Sequence, residues 1–480
     1  MKLLKDMFDS NSDLQINQLL SDSRLESDQG LFFALKGLRS DGHAFIEKAI
    51  DNGAVAVVHS DSIANKREGI EYIQVADTMD ELHRVSEIFF DSPSSKMKLH
   101  AITGTNGKST IMKTTYNIMR RLGVKAGYIG TISVEYLDKV YAPSLTTPDI
   151  IELQGILKDM VDAGITDVCL EISSQGLALR RTDALKFHDA SYTNLSHDHL
   201  DYHKTMDAYF QAKLLLFKHI DPQAPLIINA DDEYGQKILD MDYKNLISYG
   251  INTKADIMAS NIKIAADKTT FTLSVNGATY DLETNLLAQF NVYNVLNVIG
   301  IFLVNGYDIN SIIPLLKDVE HVEGRLTQVD EGQDYKVFVD FGHAPDSMAN
   351  VYEYVRGITP DSNKLISVFG AAGARDTLKR PIMGKVSTSM CDWVIFTEHD
   401  NRNEEVKDIT DDIISGVVSH NWEFIPIRIE AIRKALSMAQ KGDSVILNGK
   451  GEEKFIYRAY GKEVWMGDEV CAAKIIKGEL

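Results

Sequence analysis

Thr103-Gly104-Thr105-Asn106-Gly107-Lys108-Ser109-Thr110 joins a short apolar run, Leu99 to Thr103, to a segment that reads as a helix from Ser109 to Leu122. A strand that turns through glycines into a helix is a phosphate-binding arrangement. Glycines let backbone N–H groups face phosphate oxygens, and the helix N-terminus adds its dipole. Lys108 is set to reach the β- and γ-phosphates of a nucleotide, and the Ser109 hydroxyl to ligate Mg²⁺. The general GxxxxGK[ST] spacing asks for glycine at 102, where this chain has Ile102. A bare GxxGKS can arise by chance, so the strand-to-helix setting is what gives the match weight.

Outward from this loop, strands and helices alternate. Asp167 to Ile172 and Ala190 to Leu195 read as strands, and Asp207 to Lys218 as a helix. Such alternation implies an α/β fold, a parallel sheet with helices on its faces. Between Ile257 and Leu286 the period changes to two: Thr269 to Val275 and Ala278 to Leu282 flank Asn276-Gly277, which predicts a hairpin and a small antiparallel side sheet. After Glu323-Gly324-Arg325 the alternation resumes, with buried strands expected at Val337 to Asp340, Leu365 to Phe369, Trp393 to Thr397 and Val445 to Leu447. Upstream, the polar stretch Asp91-Ser92-Pro93-Ser94-Ser95-Lys96 reads as a linker. In the later blocks the glycine-rich motifs follow the carboxyl ends of strands, the edge at which open α/β sheets bind ligands.

A chain of 480 residues is long for one core and suggests three domains. The formal charge of −19 comes without a basic stripe, which argues against nucleic acid as the main partner. Cys169, Cys391 and Cys471 are far apart, with no CxxC pair, so neither a disulfide framework nor a zinc site is expected. The first residues break into charge too early for a signal peptide, and no apolar run approaches the ~18 residues of a membrane span. A cytoplasmic, monomeric protein with no membrane insertion is expected.

Further motifs extend the pattern over nearly the whole length. The first block carries Asp22-Ser23-Arg24, Gly30-Leu31-Phe32-Phe33-Ala34 and Asp41-Gly42-His43. The centre carries Thr146-Thr147-Pro148-Asp149, Glu171-Ile172-Ser173-Ser174, Asn194 to Asp201, Tyr209 to Lys213 and Asn291 to Asn294. The third block carries Asp340 to Asp346, Gly370 to Arg380 and Gly449-Lys450-Gly451-Glu452-Glu453. Together with the loop, their order and spacing resemble the Mur ligase family, and within it the branch that adds the third residue to UDP-N-acetylmuramoyl-L-Ala-D-Glu.

That resemblance implies a small uridine-nucleotide domain over 1–97, a central P-loop ATPase-like domain over 98–324 and a C-terminal Rossmann-like domain over 325–480. It implies an ATP-dependent ligase of peptidoglycan precursor synthesis, with UDP-N-acetylmuramoyl-dipeptide, a free amino acid, ATP and Mg²⁺ as ligands. ATP would be held by Gly104, Thr105, Asn106, Gly107, Lys108, Ser109, Thr110 and Asn294, with Arg325, Asp340 and His343 completing the site. The metal set would be Ser109, Glu171, His199 and Lys213, the last carrying a carbamate. Taken alone, Glu171 reads as a solvated strand end, His199 as a loop histidine and Lys213 as a solvated helix lysine. Thr146, Thr147, Ser173 and Arg181 would hold the muramoyl dipeptide, with Ser23, Arg39 and Ser40 near the uridine.

Asp400-Asn401-Arg402-Asn403 occupies the position of the Asp-Asn-Pro-Arg motif that binds meso-diaminopimelate in the family. A neutral Asn403 cannot offer a carboxylate the charged fork an arginine would. L-Lysine is therefore the expected amino acid, its ammonium facing acids such as Glu405, with diaminopimelate as the alternative should Arg402 swing toward its carboxylate, and ornithine as another. Arg375 and Glu453 would meet the α-carboxylate and α-amino ends, with Gly449 also among the substrate-binding residues. Other departures are Gln175 for a frequent histidine, Ala288-Gln289 for a Gly-Arg pair and Glu452 for a histidine. A folate-type ligase is disfavoured by the Asp22-to-His43 pattern. A silent paralogue is disfavoured by the intact Lys108, Glu171, His199 and Lys213.

Overall fold

The computed structural model of the chain describes residues 1–37, 40–320, 322, 324–451 and 453–480. They form two compact units, Met1–His100 with Val124–His188 and His219–Asp221, and Ala101–Gly123 with Asp189–Lys218 and Pro222–Leu480.

In the first unit, strands Gln18–Leu20, Gly30–Phe33, Ala54–His59 and Glu71–Gln74 form a parallel sheet in that order. Successive side chains point to opposite faces, so Leu31, Phe33, Ala56 and Val58 enter one apolar cluster and Phe32 and Val57 the other. Helix Thr78–Phe89 covers the first face through Leu82 and Val85, and Ile46–Asp51 the second through Ile46 and Ala49. Asp77 starts the longer helix by accepting the N–H groups of Met79 and Asp80. The same unit holds the parallel pair Ala126–Ile129 and Asp167–Glu171, extended by the antiparallel hairpin Val134–Tyr136 and Lys139–Tyr141.

Strand Lys98–Thr103 runs from the first unit into the second and leads through the phosphate loop to helix Lys108–Arg121. Within the second unit Asp189–Tyr192, Leu226–Asn229, Leu246–Gly250 and Ile257–Ile264 are parallel, and Thr269–Val275 and Ala278–Thr284 then turn antiparallel. The predicted hairpin is there, with Asn276 and Gly277 both at left-handed φ (51° and 76°), as a tight two-residue turn requires. It is no separate side sheet, because Ile257–Ile264 joins it to the parallel strands. The strand expected to reach Leu195 stops at Tyr192; residues 193–196 turn aside to bond the phosphate loop.

The third block builds a sheet in the order Thr327–Val329, Lys336–Asp340, Ser444–Asn448, Leu365–Phe369, Trp393–Phe396, Trp422–Phe424, parallel except at its first strand. Val337 and Val339 enter one cluster and Phe338 the other, so both faces are apolar and both are covered by helices. The loops that follow Asp340, Phe369, Phe396 and Asn448 all leave the carboxyl edge of these strands. No helix among the described residues is long and apolar enough to cross a membrane.

Ala288 is buried at φ 74°, ψ 154°, a region open essentially to glycine alone. Relief of about 1–3 kcal/mol of strain exceeds the roughly 0.4–1 kcal/mol that glycine costs through the unfolded chain. Ala288→Gly is therefore expected to raise the thermal midpoint, and an unchanged or lower midpoint in a melting scan would contradict it.

Candidate functional site

The phosphate loop is shaped by two close approaches. A β-carbon at Gly104 (φ 153°) would lie 1.8 Å from Thr193 Oγ1, and one at Gly107 (φ 89°) 2.5 Å from Asn294 Oδ1. Only glycine fits either position. Residues 193–196 brace the loop: Thr105 N–H donates to Asn194 O (2.8 Å), Asn106 N–H to Asn194 Oδ1 (3.0 Å), Thr193 Oγ1 to Asn106 O (2.7 Å), and Ser196 N–H to Thr105 Oγ1 (3.1 Å). Lys108 Nζ donates to the carbonyls of Gly104 (2.9 Å) and Thr105 (3.0 Å), which stretches it along the loop. Ser109 and Thr110 are buried in the first helical turn. The loop suits a phosphate through its donors, the backbone N–H groups that open helix Lys108–Arg121 and the Lys108 ammonium stretched along the turn.

The third block meets this loop inside the second unit. Arg325 Nη2 donates to Ser109 Oγ (3.4 Å) while its guanidinium lies over the Phe341 ring. Asp340 accepts the N–H groups of Leu326 (2.8 Å) and Gly342 (2.6 Å), and burial pushes its carboxyl up. Asp198 gathers Lys379 (2.9 Å), His343 (3.4 Å) and His199 (3.6 Å). Against the cost of burial, the Lys379 ammonium above all, with the His199 and His343 rings beside it, holds Asp198 well below the usual carboxylate range. Burial lowers His199 to about 4, so at neutral pH its imidazole is uncharged and can donate a lone pair to a metal.

Lys213 is 1% exposed in helix Met206–Lys218, not on a solvated face. Burial, then the nearby charge of Lys108, holds its amine well below the ordinary lysine value. Its Nζ lies over the Tyr209 ring, 4.5 Å from the centroid.

In the first unit, Glu171 ends its strand fully buried rather than solvated. Tyr128 Oη donates to Oε1 (2.5 Å) and Thr131 Oγ1 to Oε2 (3.0 Å). Gly130 is needed beside it, because a β-carbon there would lie 2.2 Å from Oε1. Thr147 Oγ1 donates to Glu171 O (3.0 Å) and accepts Ser173 N–H (2.9 Å), and Thr146 Oγ1 meets Thr131 Oγ1 at 3.2 Å. Arg181 Nη1 donates to Thr147 O (3.0 Å) and pairs with Asp149 (2.8 Å). The first unit thus joins Thr146, Thr147, Glu171, Ser173 and Arg181. Ser23 is buried and Ser40 exposed, whereas Arg39 lies outside the described residues.

At the carboxyl edge of the third block, Lys450 is fully buried between Asp400 (2.8 Å) and Glu453 (2.5 Å). Although burial opposes it, His399 and Lys450 hold Asp400 below its ordinary value; burial pushes Glu453 up. His399 accepts Asp400 N–H at Nδ1 (2.7 Å), which leaves its proton on Nε2, directed to Gly449 O (3.1 Å). Arg402 Nη1 donates to Gly373 O (2.8 Å), and Asn401 Nδ2 to Glu404 O (3.1 Å). Burial and the neighbouring Arg375 guanidinium lower the Arg402 pKa. Asn403 and Glu405 are exposed, Glu405 as the residue before helix Val406–Ile414. The cation of this loop is therefore Arg402, at the third rather than the fourth position of the segment Asp400 to Asn403.

Asp198, Lys379 and Lys450 were not among the expected site residues. Each lies inside a quoted motif, which was the signal available, but their pairing joins segments distant in the chain.

Three family signatures match this chain: "Mur ligase family, catalytic domain" over residues 15–89, "Mur ligase middle domain" over 102–302 and "Mur ligase, glutamate ligase domain" over 324–451. It is 37% identical over 444 residues to UDP-N-acetylmuramoyl-L-alanyl-D-glutamate--2,6-diaminopimelate ligase 1 of Clostridium acetobutylicum, covering 92% of this chain and 91% of that one. The corresponding ligase of Geobacillus kaustophilus is 36% identical over 461 residues, covering 94% and 93%. A solved UDP-N-acetylmuramoyl-L-alanyl-D-glutamate--2,6-diaminopimelate ligase superposes with a TM-score of 0.68 at 26% identity, covering 98% of this chain and 97% of that one.

Proposed function

This chain belongs to the Mur ligase family, and from that premise we propose that it adds meso-diaminopimelate to the D-glutamate carboxyl of UDP-N-acetylmuramoyl-L-Ala-D-Glu at the expense of ATP. Residues 1–97 would take the uridine end, 98–324 the ATP and 325–480 the amino acid. The observation that carries the choice of amino acid is the charge around Arg402. Arg402 lies beside the Arg375 guanidinium, while Lys450 answers Asp400 and Glu453 and Arg380 answers Glu404. Two neighbouring guanidiniums suit the second carboxylate of diaminopimelate and repel the net charge of lysine. The curated relatives named above are diaminopimelate ligases. The argument for lysine rested on the neutral Asn403, and Arg402 supplies the missing guanidinium, so our reading moves to diaminopimelate.

A carboxylate resists attack by an amine until its oxygen becomes a leaving group. In the proposed reaction the γ-phosphoryl group passes to a carboxylate oxygen, giving an acyl phosphate and ADP. The amine then attacks the acyl carbon, phosphate departs, and the amine loses a proton. Lys108, the loop N–H groups and Arg325 would neutralise the anionic oxygens. Asn294, Asp340 and His343 complete the proposed nucleotide surroundings. Mg²⁺ held by Ser109, Glu171, His199 and Lys213 would supply charge neutralisation and orientation. Lys213 is proposed as a carbamate: its amine, pushed toward the neutral form by burial, would attack CO₂, form the C–N bond and release one proton. Thr146, Thr147, Ser173 and Arg181 would hold the dipeptide, with Ser23, Arg39 and Ser40 toward the uridine. Asn401 and Gly449 would help shape the amino-acid pocket.

The test is ADP formation with the muramoyl dipeptide and a panel of diaminopimelate, lysine and ornithine. Diaminopimelate is expected to give the highest kcat/KM. Arg402→Ala should lower it about 10–100-fold, the loss of a charge-assisted carboxylate contact, and change lysine use far less. Preference for lysine in the unaltered protein would overturn the assignment of the amino acid. Absence of ADP formation with all three would favour the silent paralogue.

A further inference from the structure

The hairpin Phe455–Arg458 and Gly461–Val464 holds none of the substrate residues assigned above, yet it is fastened to the loop that carries Arg402. Arg402 N–H donates to Tyr457 O (2.9 Å), and Tyr457 N–H returns a bond to Asp400 Oδ1 (3.1 Å). Arg458 Nη1 donates both to Glu398 Oε2 (2.6 Å) and to Asn401 Oδ1 (2.9 Å), while Nε pairs with Glu463 across the hairpin. The other oxygen of Glu398 accepts Arg428 N–H (3.0 Å) at the start of helix Arg428–Met438. Arg458 therefore ties the hairpin and loop 398–402 to the domain's core through one guanidinium.

The backbone of Arg402 makes this tie consequential. Its φ of 50° is a left-handed conformation that a side-chain-bearing residue keeps only when its surroundings impose it. The bonds from Tyr457 and through Arg458 are what impose it here, and the Tyr457 ring lies 5.6 Å from the Arg402 guanidinium. Ile456 is buried in the core cluster of the same domain, so the hairpin stays attached when the Arg458 contacts are removed.

We propose that Arg458 is a positioning residue for amino-acid selection: it clamps the hairpin on the 398–402 loop and so aims the Arg402 guanidinium at the distal carboxylate of the incoming diamino acid. The inference rests on the diaminopimelate reading and adds the group that enforces it.

The test uses the full chain with Arg458→Ala, Arg458→Lys and Glu398→Gln. For each, KM and kcat are measured for diaminopimelate, lysine, ATP and the muramoyl dipeptide, with a thermal melt to establish folding. For Arg458→Ala, KM for diaminopimelate should rise about tenfold, the loss of a charge-assisted hydrogen bond, with kcat and both other KM values within about twofold. The preference for diaminopimelate over lysine should fall by a similar factor. Arg458→Lys should recover part of both, and Glu398→Gln should move them in the same direction by less. An unchanged preference in folded Arg458→Ala overturns the clamp while leaving the diaminopimelate reading intact. A uniform fall for all substrates overturns it too, as a merely structural role. An unaltered protein that rejects diaminopimelate overturns both at once.

Discussion

Lys108→Ala is expected to lower turnover by at least about 10³-fold, the range seen when a preorganised positive charge is removed from a phosphoryl-transfer site. The expectation follows from where its amine is held. Nζ is drawn back to the carbonyls of Gly104 and Thr105, across the cradle formed by Gly104 and Gly107. From there the ammonium faces the same space as the loop N–H groups and the positive end of helix Lys108–Arg121. Nothing else described in the loop carries a full charge. Lys108 is only partly buried, so alanine should fold normally, and a melting scan within a few degrees of the parent would separate lost chemistry from lost structure. Lys108→Arg should rescue poorly, because a broad planar fork does not replace a compact point charge in a loop this tight. Retention of a tenth of parental turnover by Lys108→Ala would remove Lys108 from the nucleotide site.

The second large effect is expected at Lys213. Lys213→Ala should lose about 10²-fold or more of turnover, the loss expected for a group that supports a metal through a carbamate. Added short carboxylates such as acetate should restore part of it, since they bring an anionic oxygen pair into the space vacated. The lowered pKa of the buried amine gives this a pH dependence. An unfolded lysine keeps its proton up to about 10.4, whereas the folded amine releases it at lower pH. Between those two values the unfolded state binds the extra proton, so the unmodified lysine destabilises the fold increasingly as pH falls through that window. Removal of CO₂ should therefore lower the thermal midpoint at neutral pH. Lys213→Met, which has no amine to bury, should melt no lower than the CO₂-depleted parent. Full activity in Lys213→Ala, or no response to carboxylates in a folded and inactive variant, would refute the carbamate.

Much of the fold is legible along the chain because it is set by local physics. The phosphate loop announces itself through glycines at 104 and 107, and the structure supplies the two contacts, Thr193 and Asn294, that forbid a β-carbon there. Asn276-Gly277 predicts its hairpin for the same reason: two consecutive left-handed residues are needed and these types tolerate them. The alternating strands of the third block carry their burial in their composition, with Val337, Phe338 and Val339 apolar on both faces of a covered sheet. Lys213 was harder, since a helix lysine is ordinarily a solvated one; only the family resemblance singled it out.

What the chain determined by itself is the succession of α/β blocks, the nucleotide loop and the chemical inventory of the site. Each depends on residues within one turn, one strand or one loop of each other. What tertiary structure alone decided is which charges meet. Asp198 finds Lys379 across a separation of 181 residues, and Arg458 reaches Glu398 across 60. Neither pairing has a spacing rule, because it depends on the packing of whole sheets. The same holds for Arg402, whose N–H is bound by Tyr457 O in a hairpin more than fifty residues later. Reading the loop in isolation pointed to Asn403 and to lysine; the packed domain turns Arg402 toward Gly373 and Arg375 and leaves Asn403 in solvent.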